Sequence, residues 1–142
     1  MHRRLLAVSA FAVASIVLSA CGSGDATAPA VVTSLAGTWN LTSVNGKGLP
    51  YVLQAADPKL EILAKQFVIT SAGTFTSSFS VRATDLDGTV TLTQRSDAGT
   101  LTLADNVVTI RSSSDGTTVT GGVSNTTMTI VTGDFTQIFT KQ

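Results

Sequence analysis

From Leu35 onward, threonine or serine alternates with Val, Ile, Leu or Phe in a series of short segments. A period of two is that of a strand with one buried face and one wet face. It predicts strands at 37–44, 66–70, 73–82, 88–94, 99–104, 107–112, 117–121, 127–132 and 135–141. Between them stand Asp87-Gly88, Asp97-Ala98-Gly99, Asp105-Asn106, Asp115-Gly116, Ser124-Asn125 and Gly133-Asp134. These residue types accept the positive φ of tight hairpin turns. From residue 66 no connection is long enough for a crossover helix, so neighbouring strands pair antiparallel in a meander. About eight such strands lose their free edges by closing into an up-and-down barrel, and the expected fold class is all-β. The inward set predicted from the alternation is Trp39, Leu41, Phe67, Ile69, Phe75, Phe79, Val90, Leu92, Leu101, Leu103, Val108, Ile110, Met128 and Ile130.

One stretch reads two ways. Asp57 can cap a helix with Pro58 at its first position and Glu61 in its first turn, and Leu60, Leu63, Ala64 and Phe67 then share a face. A strand through Leu60, Ile62 and Ala64 also fits, but a short helix or turn at 57–64 is the favoured expectation.

The N-terminus follows a different pattern. Arg3 and Arg4 precede an uncharged, mainly apolar run of 16 residues from Leu5 to Ala20. This is the order of a secretory signal peptide, and the run is short for a membrane span of roughly 20 residues. It ends in Leu18-Ser19-Ala20-Cys21, which resembles the lipobox of bacterial lipoproteins. The resemblance implies that residues 1–20 are removed and that Cys21, the one cysteine of the chain, receives the lipid. The partner so implied is a membrane, reached through an N-terminal lipid anchor in the bacterial cell envelope. Gly22 in place of an aspartate after the cysteine favours the outer membrane. Residues 22–34, GSGDATAPAVVTS, are small, polar and proline-containing, the composition of a flexible tether. Residues 21–34 are therefore lipidated cysteine and tether, and 35–142 form one domain of ordinary size.

Loss of residues 1–20 removes Arg3, Arg4 and the one histidine, His2. Seven Lys and Arg then face nine Asp and Glu, and the cations are scattered singly. Nucleic acid, which needs a basic patch, is not an expected partner. Without histidine or a free thiol the usual general base, thiol nucleophile and zinc ligands are missing, so neither an enzyme nor a metal or other cofactor is expected. Asp85-Leu86-Asp87-Gly88 lacks the further acidic positions of a calcium loop and reads as a hairpin turn, as does Ser113-Ser114-Asp115-Gly116. The 23 threonines are β-branched residues suited to the wet face of strands.

Gly37-Thr38-Trp39 followed by LTSVNGKGLPYVL, with Phe139-Thr140-Lys141 at the other end, resembles the bacterial lipocalin-like domains. Members commonly open on Gly-X-Trp, pass an Asn-Gly turn and a Leu-Pro-Tyr segment, and continue as Thr-rich hairpins. The resemblance implies a lipocalin-like (calycin) barrel over 35–142. Trp39 would plug its closed end, Lys141 would lie over the indole, and Gly37 would let the backbone pass closely. The Thr-Asp-Tyr element of animal lipocalins is absent, and Thr84-Asp85-Leu86 only approximates it. Phe75 and Phe79 share one face of a strand with Ser77 between them. With Tyr51 they are candidates for a pocket that takes a small apolar ligand. The alternative is a filled core, with the protein working through its outer surface or loops as a structural or interaction lipoprotein.

Overall fold

A computed structural model of the chain describes residues 32–142. The signal segment, Cys21 and the tether up to residue 31 lie outside the described residues. A short 3-10 turn, Val32–Leu35, leads into nine strands. They are β1 (Gly37–Val44), β2 (Tyr51–Gln54), β3 (Lys59–Ile69), β4 (Thr74–Thr84), β5 (Val90–Ala104), β6 (Val107–Ser112), β7 (Thr118–Ser124), β8 (Thr127–Thr132) and β9 (Phe135–Lys141). From β3 to β9 each strand pairs antiparallel with the next, and β1 pairs with both β9 and β3. That last pairing closes an eight-stranded up-and-down barrel, with β2 as an additional strand outside the ring. The expected all-β barrel is therefore what the chain forms.

The closure divides β3 between two neighbours. Its second half pairs with β1, Trp39 opposite Phe67 and Gly37 opposite Ile69, while its first half takes β2, Tyr51 opposite Ile62. The helix or turn expected at 57–64 is absent, because this stretch is strand from Lys59 onward, held by β4 along one side and by β2 on the other. Two strands and a bulge at Leu63 override a local preference for helix that is weak to begin with.

The hairpin turns fall largely where the dipeptides place them. Asp105 and Asn106 adopt φ of 49° and 65°, and Asn125 has a φ of 53°. Asp97-Ala98-Gly99 is the exception. It lies inside β5, whose 15 residues run on without a turn and pair with β4 from Val90 to Thr100. Side-chain parity cannot change along an uninterrupted strand. With Leu101 and Leu103 buried inside, Val90 and Leu92 must point outward, and they are 54% and 64% exposed, contrary to the inward expectation.

The core is made of Leu35, Trp39, Leu41, Val44, Ile62, Phe67, Ile69, Phe75, Leu101, Leu103, Val108, Ile110, Met128, Ile130 and Phe139. Full burial of a large apolar side chain of this kind contributes about 1.5–3 kcal/mol. The ring of Phe67 packs edge-on at 5.4 Å from Phe75 and 5.2 Å from Phe139. Among the described residues all core members and all strand partners lie between Leu35 and Lys141.

Candidate functional site

One end of the lumen is plugged. Trp39, buried completely, donates its indole N–H to the Leu35 carbonyl at 2.7 Å. Lys141 stands opposite Trp39 in the β1–β9 register, with its Nζ 5.9 Å from the indole centroid and a 2.8 Å hydrogen bond to the Ser34 carbonyl. Gly37 has a φ of +134°, and a Cβ there would meet Lys141 Cε at 3.0 Å. The absence of a side chain at Gly37 thus leaves the lysine room to cross the barrel end.

Beyond Phe67 and Phe75 the lumen is not filled. A cavity of about 480 Å³ opens there. Its apolar wall includes Val44, Leu53, Ile62, Phe67, Phe75, Phe79, Ile110, Val119 and Phe135. Its polar lining includes Lys65, Arg95, Asp97, Ser112, Ser114, Asp115 and Gln137. Of the three residues singled out for a pocket, Phe75 and Phe79 line the cavity and Tyr51 does not. Tyr51 sits one layer back, with its ring edge-on to Phe135 at 6.3 Å and its hydroxyl accepting from Asn45 Nδ2 at 3.2 Å.

Sequence reasoning missed Lys65. The bulge at Leu63 changes the phase of β3, so that Ile62 and Lys65, rather than Ile62 and Ala64, share the inner face with Phe67 and Ile69. Lys65 lies opposite Phe79 on β4, and Arg95 on β5 lies opposite Phe79 in turn. The Lys65 ammonium is 5.5 Å from the ring centroid of Phe67, 5.7 Å from that of Phe139 and 6.0 Å from that of Phe79. It donates to Gln137 Oε1 at 2.9 Å. Burial pushes it below the usual lysine value of 10.5. The available signal was a single lysine interrupting an apolar face, but that face can be identified only once the bulge is known.

The carboxylates of the polar side are held by local donors. Asp97 is kept below the ordinary aspartate range chiefly by the Ser112 hydroxyl, helped by the Ala98 amide at 2.8 Å and by Ser114, against burial and the negative charge of Asp115. Asp115, exposed at the turn, is lowered mainly by the Thr117 amide, which donates at 2.8 Å. Asp87, outside the cavity, accepts from Thr89 N at 2.8 Å and so secures its own hairpin turn. The cavity therefore combines an apolar wall, a lysine set among aromatic rings, and acids held by local hydrogen bonds. Such a surface suits non-covalent binding of a small molecule.

No protein-family model matches the chain, and no curated protein matches it. Among solved structures it is similar to a lipocalin-like protein from Bacteroides uniformis, at 18% sequence identity and a TM-score of 0.43. The similarity covers 77% of this chain and 99% of that one.

Proposed function

We propose that the barrel binds a small, largely apolar ligand in its lumen and that the protein does so at the bacterial envelope, held by a lipid on Cys21. The observation that carries the first half is the unfilled space of about 480 Å³ walled by Phe67, Phe75, Phe79 and Phe135. Ligand sites for small molecules fall at roughly 300–1,000 Å³ and are lined mainly by apolar and aromatic groups. A structural lipoprotein with a packed core would bring side chains together across that space. The lipobox-like Leu18-Ser19-Ala20-Cys21 supports the second half. Residues of the domain offer no histidine and no thiol, which favours binding over catalysis.

Native mass spectrometry of residues 22–142, before and after exposure to a total lipid extract of a bacterial envelope, tests the reading. A discrete adduct of a few hundred daltons is expected, lost in Phe79→Arg, which places a charge on the half-buried wall without touching the fully buried floor. An unliganded mass throughout would remove the lumen as the working part.

A further inference from the structure

We propose that the ligand of the lumen is a singly charged carboxylate with an apolar body, and that Lys65 and Gln137 receive its carboxylate. The inference deepens the proposed function and rests on its reading that the lumen takes a ligand.

The ammonium of Lys65 is surrounded by apolar groups but not matched by an anion. Among the described residues its hydrogen bond runs to the Gln137 side-chain oxygen, and no carboxylate oxygen lies within 4.0 Å. The two ion pairs of the described residues, Lys59 and Arg82 with Glu61, are on the outer face of β3. An ammonium has three donors, so two remain beyond the one given to Gln137. The Gln137 amide presents its oxygen to Lys65, and its Nε2 has no protein partner among the described residues. A carboxylate has two acceptor oxygens and can take one N–H from each group. Placing a cation among three phenyl rings costs desolvation that an anion of opposite charge offsets directly.

The rest of the lining narrows the choice. The apolar wall of Phe67, Phe75, Phe79 and Phe135 requires an apolar body. Arg95, exposed and aligned with Phe79, puts a second cation on the same side of the cavity. Asp97 and Asp115 line it as well, and their local hydrogen bonds keep them ionised. Two cations against two fixed carboxylates tolerate one further negative charge near Lys65 but oppose a doubly charged head such as a phosphate monoester.

Isothermal titration of residues 22–142 with decanoate, decan-1-ol and decylamine, all below their micellar concentrations, separates charge from chain. Decanoate is expected to bind about tenfold or more tightly than the alcohol, with the amine weakest. Lys65→Met should lose the preference for decanoate while still taking the alcohol, and Lys65→Arg should recover part of it. Equal or tighter binding of the alcohol or the amine, or a preference that survives Lys65→Met, overturns the proposal and leaves a lumen that binds ligands without reading charge. Failure of decanoate to bind the wild-type domain also overturns it. Whether the lumen reading falls too is then decided separately by the adduct from the envelope extract.

Discussion

Lys65 shows how a single side chain can carry a cost to stability in a place suited to binding. Because burial lowers it from 10.5, the unfolded chain binds more protons than the folded one at pH values between the lowered value and 10.5. Its contribution to stability therefore rises with pH through that window, and below the window the charged lysine is a net burden. Lys65→Met is expected to raise the melting temperature by a few degrees at neutral pH, and the gain should shrink as the pH climbs through the window. A lower melting temperature would mean that the Gln137 hydrogen bond and the three rings outweigh burial. Gly99 is the opposite case, a residue fixed by packing alone. A Cβ there would overlap the Arg111 carbonyl oxygen and come within 2.8 Å of Phe75 Cε1. Gly99→Ala should cost about 2–3 kcal/mol or more in chemical denaturation, since one of the clashing atoms is backbone of the paired strand and cannot turn aside. Phe75 and Phe79 were legible as pocket residues because they repeat at the strand period. Lys65, Arg95 and Gln137 were not, since a lone polar residue in a strand usually marks the wet face.

At the level of single strands, bulges explain most of what local pattern leaves ambiguous. Leu41 and Val44 are both buried although three residues apart, because the β1–β9 register shifts between Leu41 and Ser43. The same happens in β3, where Ile62, Lys65, Phe67 and Ile69 face inward across the Leu63 bulge. The helical face read over 57–64 joined Leu60, Leu63, Ala64 and Phe67, but Leu63 is the bulged residue and Ala64 is exposed on the outer side, so that face does not exist in the strand. The outer face of β3 carries Glu61, 6% exposed between Lys59 at 2.9 Å and Arg82 at 2.7 Å. Hydrogen bonds from Lys59, then Arg82, hold its carboxyl below the usual 4.5. A depressed carboxylate stabilises the fold above the unfolded value and loses that contribution as pH falls through the folded one. Glu61→Gln should therefore melt below wild type at neutral pH, and the two curves should converge as the pH falls through the lowered value. A gap that persists undiminished in acid would assign the effect to packing.

At the scale of the whole molecule the barrel has one plugged end and one space left open. Leu35, Trp39 and Lys141 form the plug, drawn from the two ends of the domain, so the order of the chain itself secures the closure between β1 and β9. The proposed anchor adds a second large-scale expectation. Cys21→Ser should leave the precursor uncleaved and move the protein from the membrane to the soluble fraction on cell fractionation. Unchanged partitioning would remove the anchor, and with it the envelope setting, without touching the barrel.

Most strand positions, most turns and the fold class were open to sequence reasoning because hairpins are local, whereas β2 and the first half of β3 were not read as strands. Alternation fixes a face, Asp, Asn and Gly fix a reversal, and both act within a few residues. The secretory and lipobox-like pattern is local in the same sense. What required the tertiary structure is whatever depends on residues distant in the chain. Continuity of β5 through Asp97-Ala98-Gly99 depends on β4 pairing along its whole length, and this pairing turned Val90 and Leu92 outward. The division of β3 between β1 and β2 closed the ring. Above all, the filling of the lumen is a balance of side-chain volume against barrel width, which strand tilt and register set together. An inward set bulky enough to suggest a full core leaves about 480 Å³ open, with a lysine facing into it.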